Sequence, residues 1–554
     1  MVRITYFTTR RWYGLVFICI LVIAVFLRFY KLGQVPAGMT WDEAAIGYNG
    51  FAIWETRRDE WLQLLPVSFR SFGDYKAPLA IYVNGLFTLL FGLNLTAIRI
   101  PFALAGSLAV AGFGLLIRTL WRETSSKNSL ISAEAASLVG MSVIALSPWH
   151  LHFSRVGFES GMALAEILWA VYFLLSFFLI KHSKMVKNAS LLLSVLLFAL
   201  SFYTYHSAKI VTPLLVVMFA VRYREQMWQE AKSMLAGGIL GCLLLLPLIK
   251  DSLFDAGAER FQQASLFGMD IPATELLAII GQNFLLHFSP HFLILGATET
   301  LRHGSGAWGV LLPTTFVLVV LSLLSVINHR HNPTHLRLWQ MAFWWLVIGI
   351  IPAAIGRDVP HSNRALLALP GFILLALEGA EWCLQWIKNT AINLRVLGNH
   401  GEKNVILKLV IGYLILLHCF FFFKYSTHYY SVFAQASTQD FQEGYQAMLE
   451  YVIPYENGEQ GRPEVSKIRI SDEYGQPYIY ALLARQTNPI WYQGGSLIKY
   501  EFADVEIGDL LRENAIIVGS ARDKDDLPFE RADKLIYGSD GSIRFAIFVT
   551  DNSE

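Results

Sequence analysis

Apolar runs recur along this chain from Tyr13 to Phe423, separated by short polar stretches. The first covers Tyr13–Phe29, and others fall at 78–92, 97–117, 133–148, 162–180, 188–205, 209–221, 232–249, 308–327, 338–355, 365–387 and 405–423. Roughly 20 apolar residues in helical form cross a bilayer core. Many of these runs approach that length, so the pattern predicts a polytopic α-helical membrane protein. Beyond residue 430 the pattern changes. Ile468-Arg-Ile-Ser, Ile516-Ile-Val-Gly and Phe545-Ala-Ile-Phe-Val read as short strands, and Ser437–Tyr451 reads as a helix. The expected organisation is a transmembrane domain over 1–429 and a small α/β domain over 430–554.

Loop charges set the sidedness. Lys and Arg collect in cytoplasmic loops. Arg118, Arg122 and Lys127 mark one such loop, Lys181, Lys184 and Lys187 another, and Arg222 with Arg224 a third. The stretches His329–Arg337 and Lys388–Lys408 follow the same rule. The alternate loops, 149–161, 206–208, 250–307 and 356–364, and the tail are then external. Loop 30–76 shares that face only if region 78–117 makes one net crossing, with one of its two runs in the interface or turning back. The count is about 11–12 transmembrane helices on the loop-charge rule. Arg3, Arg10 and Arg11 precede the first run, and no small-residue cleavage pattern follows it. It reads as a retained span with a cytoplasmic N-terminus in a multi-pass cell-membrane protein. Trp41, Trp54 and Trp61 suit interfacial amphipathic helices lying on the bilayer.

Composition agrees. Of 554 residues, 54% are hydrophobic and only 16% charged, where soluble chains carry about 25% charged residues. A net charge of +1 gives no bulk attraction to nucleic acid, and no nucleic-acid motif is present. Cys19, Cys242, Cys383 and Cys419 lie inside apolar runs without metal-ligand spacing and read as buried small hydrophobes.

The candidate chemistry gathers in the external loops. Asp42 and Glu43 sit just past the first span, and Asp74 and Lys76 end that loop. His150, His152, Arg155 and Glu159 occupy the next external loop, then His206 and Lys209, Arg302 and His303, and finally Arg357, Asp358, His361 and Arg364. Arg and Lys hold phosphate oxygens, and a carboxylate takes a proton from a hydroxyl. A carboxylate at a water–membrane boundary reaches a lipid headgroup. Each residue alone has a plainer reading: an acidic pair beside a span is usually a solvated loop, and single cations snorkel. His150 and His152, two residues apart, lie poorly for joint metal ligation and read as interfacial hydrogen-bonders. Glu166, Glu378 and Glu381 lie within apolar runs, as functional acids or as parts of a helix-packing network. The convergence carries the weight. The aromatic stretch Phe202–His206, with Tyr205, and the loop Arg302–Trp308 are candidates for sugar or acceptor contact, or else members of an aromatic belt.

Several motifs in order resemble a known family. Val35-Pro-Ala-Gly, Trp41-Asp-Glu-Ala, Asp74-Tyr-Lys-Ala-Pro-Leu and Phe91-Gly-Leu-Asn-Leu-Thr-Ala-Ile-Arg-Ile-Pro resemble the N-terminal signature of GT-C glycosyltransferases. The likeness points in particular to the protein O-mannosyltransferase and lipid A aminoarabinose transferase group. Ser147-Pro-Trp-His with Ser154–Glu159, and Pro360-His-Ser-Asn-Arg-Ala with Leu369-Pro-Gly, are similar to later external loops of that group. The resemblance spans roughly 13–385 and leaves the tail uncovered. It implies a GT-C fold and transfer of a sugar from a polyprenyl-phosphate donor to a hydroxyl of a lipid, glycan or protein on the non-cytoplasmic face. Asp42 matches the family base, with Glu43 beside it, and Lys76 matches the lysine before the proline. Glu159 stands where relatives often carry Asp. Lys76, Arg155, Arg364, His361, Lys209, Tyr205, His206 and Arg302 are the expected substrate contacts. The group implies no required cofactor, while a divalent site built from Glu159, Asp42 and Glu43 is the alternative. A polytopic transporter or receptor for a lipid-linked or sugar substrate competes as a reading. Transporters more often show inverted repeats and broken helices at mid-membrane, and the sequence shows neither.

Overall fold

A computed structural model of the chain describes residues 10–124, 129–254, 261, 263–296, 300–329, 333–393, 400–523 and 526–550. Arg3, Lys127 and the middle of the expected cytoplasmic loops at 330–332 and 394–399 lie outside the described residues.

Among the described residues eight helices are long and apolar enough to cross a membrane: Arg11–Phe29, Leu95–Thr124, Glu159–Leu179, Lys184–Thr204, Ala231–Leu253, Leu336–Ala354, Ser362–Thr390 and Val405–Ala436. Four shorter apolar helices accompany them, Pro78–Phe91, Ala133–Ala145, Ala273–Leu286 and Pro313–Val326. The chain is a multi-pass membrane protein. Several spans are nearly bare. Leu235, Ile239, Leu243 and Leu246 of Ala231–Leu253 all face outward. Such a face is stable only where hydrocarbon is the solvent. The same logic explains the cysteines. Cys19, Cys242 and Cys419 are exposed on their helices and not buried as expected, because an apolar residue on a membrane helix has no need of a protein core.

Two elements differ from the sequence expectation. Segment 250–307 is more than a loop, since it contains the helix Ala273–Leu286. Its Glu275, Gln282 and Asn283 hide the apolar pattern from a reading by run length. Pro78–Phe91 has 14 residues. At 1.5 Å per residue it reaches about 21 Å, short of a ~30 Å core.

The contacts divide the chain into two compact units. One holds Met1–Tyr30, Phe102–Glu299 and His303–His428; the other holds Lys31–Pro101, Thr300–Arg302 and Tyr429–Glu554. The tail therefore shares a unit with the first long loop. Within that unit two small sheets form. Strands β1 (Phe69–Ser71) and β2 (Asp74–Lys76) make an antiparallel hairpin, with Phe69 opposite Lys76 and Ser71 opposite Asp74. The tail supplies β3 (Lys467–Ile470), β4 (Tyr500–Phe502), β5 (Ala515–Ser520), β6 (Lys534–Tyr537) and β7 (Ile543–Thr550), in the spatial order β4-β3-β5-β7-β6. The β3–β4 and β3–β5 pairs are parallel, and β7 runs antiparallel to β5 and β6. The helix expected over Ser437–Tyr451 begins only at Tyr445, because Gly444 precedes it with φ of 109°.

The helix Trp41–Thr56 is the centre of this unit. Thr40 caps it: the Thr40 hydroxyl accepts the Glu43 N–H at 3.2 Å, and the Glu43 carboxylate accepts the Thr40 N–H at 3.1 Å. Such a reciprocal box satisfies two orphan donors of the first turn. The helix does not lie on the bilayer as an amphipathic cylinder. Residues 43–50, Ala52 and Ile53 are all buried. Small residues make this possible. A Cβ on Gly50 would stand 2.8 Å from the Gly85 nitrogen, so the helix Pro78–Phe91 packs backbone to backbone there. On another side Ala44, Ala45 and Tyr48 join one apolar core with Met448, Ile468, Ile479, Tyr480, Ile516 and Phe545. Burying each such Ile is worth ~1.5–3 kcal/mol. The Tyr48 hydroxyl donates to the Thr487 carbonyl at 2.8 Å, across 439 residues of sequence.

Candidate active site

Asp42 and Lys76 meet as an ion pair. The pairing follows from the elements that carry them. Asp42 opens the capped helix, and Lys76 ends β2 immediately before Pro78 starts the next helix. Lys76 is almost wholly buried, with its ammonium also 5.1 Å from the Phe72 ring centroid. The Asp42 side chain keeps 24% of its surface accessible. This is a partly accessible carboxylate paired with a buried cation.

Glu43, expected beside Asp42 as a second catalytic acid, has a different position. Its Oε1 accepts from Arg99 Nε at 2.6 Å and its Oε2 from Arg99 Nη2 at 3.0 Å, and both side chains are excluded from solvent. Arg99 also donates to the carbonyls of Leu32, Pro36 and Gly38, at 3.2, 2.7 and 2.9 Å. Glu43 thus ties the loop 31–38 to the start of the helix while its neighbour presents the open carboxylate. Arg302 lies in the same unit, its guanidinium 4.2 Å from the Trp41 ring centroid. Trp41 in turn donates its N–H to the Gln442 side chain at 2.9 Å, and Gln442 accepts from the Tyr480 hydroxyl at 2.8 Å.

A buried acid that sequence reasoning missed sits close by. Glu60 is fully buried, and Oε1 accepts from the Ser71 hydroxyl at 2.8 Å. Burial pushes its carboxyl up to about 8, with Asp59 adding to the rise and Ser71, Trp61 and Lys76 working against it. Nothing in the sequence around Glu60 separated it from a solvated loop acid. Arg99 left a fainter signal, a lone cation at the entrance of an apolar run.

The remaining candidates belong to the other unit. Arg155 is buried and donates to the carbonyls of Leu27 and Arg28, at 2.8 and 3.0 Å. His150 is not an interfacial group. It is buried, with Nδ1 2.6 Å from Arg28 Nη2, and burial together with that guanidinium holds the imidazole well below its ordinary value. Glu159 stands in the first turn of Glu159–Leu179. Tyr205, His206 and Lys209 share one turn, in which the Ala208 N–H reaches the Tyr205 carbonyl at 3.0 Å and the Lys209 N–H the His206 carbonyl at 3.1 Å. His361 caps the short helix Ser362–Ala365 by accepting the Arg364 N–H at 3.4 Å. Its ring lies 4.4 Å from that of His303, and its own N–H donates to His287 Nε2 at 3.2 Å. Burial first, then His303 and Arg364, hold the His361 imidazole well below its usual range. Arg364 is 3.5 Å from Asp358. Trp308 borders a cleft with Trp149, His152, His303 and Tyr425. Two intramembrane acids are packing groups. Glu381 accepts the N–H groups of Leu130 and Ile131 at 2.7 and 2.8 Å, and Glu166 accepts the Thr204 hydroxyl at 2.8 Å. Among the described residues no three His, Cys, Asp or Glu side chains gather into a set able to hold a metal ion.

No family model matches the sequence. No curated protein matches it significantly either. Solved structures do match in three dimensions. The structure of ArnT from Cupriavidus metallidurans bound to undecaprenyl phosphate superposes with a TM-score of 0.53 at 13% identity, over 97% of this chain and 98% of that one. The apo form of the same protein gives 0.52 at 13% identity, over 96% and 97%. The apo Archaeoglobus fulgidus oligosaccharyltransferase gives 0.52 at 14% identity, over 98% of this chain and 75% of that one. With its apolar helices and its C-terminal sheet, the chain has the GT-C fold of membrane glycosyltransferases.

Proposed function

We propose that the chain is an integral-membrane glycosyltransferase that moves a sugar from a polyprenyl-phosphate donor to an acceptor hydroxyl on the non-cytoplasmic face. The observation that carries the reading is the Asp42–Lys76 pair, an accessible carboxylate beside a buried cation at the head of the capped helix Trp41–Thr56. The similarity to a protein solved with undecaprenyl phosphate supports the donor class.

In this reading the acceptor oxygen attacks the anomeric carbon, and the bond from that carbon to the phosphate oxygen breaks. Asp42 takes the acceptor proton as the new glycosidic bond forms. Lys76, held beside Asp42, supplies positive charge to the leaving lipid phosphate, where negative charge accumulates. Arg155 and Arg364 supply further charge to that phosphate. Glu43 acts through Arg99 by fixing the helix start. Glu159, Tyr205, His206, Lys209, Arg302 and His361 contact the sugar and the acceptor. The acceptor is a lipid, a glycan or a protein, within a membrane whose lipids surround the spans. No step requires a metal. The expected division is a transmembrane catalytic domain over 1–429 and an external domain over 430–554.

The test is incubation of the purified protein with a panel of polyprenyl-phosphate sugars and an acceptor mixture, with free polyprenyl phosphate read by mass spectrometry. Consumption of one donor names the sugar. Consumption of none across the panel moves the transporter or receptor reading ahead.

A further inference from the structure

Glu60 has no part in the chemistry above, yet three separate segments converge on it. Its N–H donates to Asn49 Oδ1 at 3.1 Å, which joins it to the Asp42 helix. The Ser71 hydroxyl donates to Oε1 at 2.8 Å, and Asn49 Nδ2 donates to Ser71 Oγ at 3.3 Å, which joins it to the hairpin. From the tail, the Tyr478 hydroxyl approaches Oε1 at 3.5 Å, and Gln493 donates to the Glu60 carbonyl at 2.7 Å. The second carboxyl oxygen, Oε2, is buried and has no partner.

The hairpin is the element that matters. β1 and β2 have three residues each, too few to hold a register by themselves. Ser71 stands opposite Asp74, two residues before Lys76. Between the strands, Phe72 donates its N–H to Tyr478 Oη at 3.1 Å, and its ring faces both Tyr478 and the Lys76 ammonium. The Glu60 carboxyl therefore anchors one strand directly and the turn through Tyr478, and the other strand delivers Lys76 to Asp42.

We propose that Glu60 and Tyr478 are positioning residues that lock the β1–β2 hairpin and so hold Lys76 against Asp42. The tail, through Tyr478, then sets the geometry of the phosphate-binding cation. This rests on the proposed role of Lys76 for its catalytic meaning, but the lock itself does not.

A neutral carboxylic acid suits the site. Its hydroxyl oxygen tolerates burial far better than an unpaired carboxylate oxygen does. The charged and titratable groups that face it are Asp59 on its own loop, Lys76 on the hairpin, Tyr48 on the helix, and Tyr478 and Tyr492 on the tail.

The experiment uses full-length protein in nanodiscs. Acylation of Lys76 by a water-soluble amine-reactive ester is followed by mass spectrometry, relative to the exposed Lys534. KM and kcat for the lipid-linked donor are measured on the same samples. Wild type is expected to protect Lys76 at pH 7. Glu60→Ala, which removes the acceptor of the Ser71 and Tyr478 hydroxyls, should lose that protection. Tyr478→Phe and Ser71→Ala should raise the Lys76 rate several-fold and raise donor KM several-fold, with kcat changed less. The proposal is overturned if these variants melt at lower temperature but keep wild-type Lys76 protection and KM. If wild type consumes no donor, the reaction assignment fails while Lys76 protection still decides the lock. If one variant does not fold, the other two decide it.

Discussion

Glu43 and Arg99 form a fully buried, two-pronged ion pair, 2.6 Å from Nε to Oε1 and 3.0 Å from Nη2 to Oε2. Removing one partner strands the other charge away from water, at a cost of ~3–5 kcal/mol. Glu43→Ala and Arg99→Leu are therefore expected to lower the unfolding midpoint strongly, as read by thermal scans in detergent. A Glu43→Ala protein that melts like wild type and has lost turnover would place Glu43 in the chemistry instead.

Asp42, one residue away, is expected to behave in the opposite way. Its carboxylate is partly accessible, so Asp42→Asn should fold normally. A positioned base is worth about 10²–10⁴-fold in rate. Release of polyprenyl phosphate by Asp42→Asn should fall by that order, and turnover near wild type rules it out as the base.

Lys76→Gln removes a charge-assisted bond worth ~1.5–3 kcal/mol. Affinity for undecaprenyl phosphate, titrated by quenching or calorimetry, should drop by roughly ten- to a hundredfold on that figure. Unchanged affinity in Lys76→Gln, Arg155→Gln and Arg364→Gln alike would leave all three as structural cations.

Glu60 gives a stability profile of defined sign. Its folded carboxyl lies at about 8 against 4.5 for the free side chain. The native state keeps a proton that the unfolded chain has released, so stability falls as pH rises from 4.5 to about 8 and levels off above. Glu60→Gln should melt close to wild type at pH 5 and above it at pH 8. A gap between the two that stays constant over this range would contradict a protonated Glu60.

Much of this was legible in the chain. Apolar run length located the spans, short strand-like runs located β3, β5 and β7, and the Trp-Asp-Glu and Asp-Tyr-Lys-Ala-Pro motifs picked out both members of the Asp42–Lys76 pair. What escaped was set by tertiary contact. Adjacent acids at 42 and 43 look alike in sequence and differ only because Arg99 reaches one of them. Glu60 became distinctive through Ser71 and Tyr478, residues 11 and 418 positions away. The burial of Trp41–Thr56 depends on a glycine contact with Gly85 and on core residues contributed by the tail, which no local period records.

The 439 residues between Tyr48 and Thr487 also set a timetable. At ribosomal rates of about 5–20 residues per second, roughly 20–90 s separate synthesis of the two ends. During that interval Ala44, Ala45 and Tyr48 have no core to enter, because Ile479, Ile516 and Phe545 do not yet exist. The helix that bears Asp42 is synthesised early and finds its core last. A nascent or prematurely terminated chain therefore carries most of its spans while Ala44, Ala45 and Tyr48 still lack the apolar core that the tail supplies.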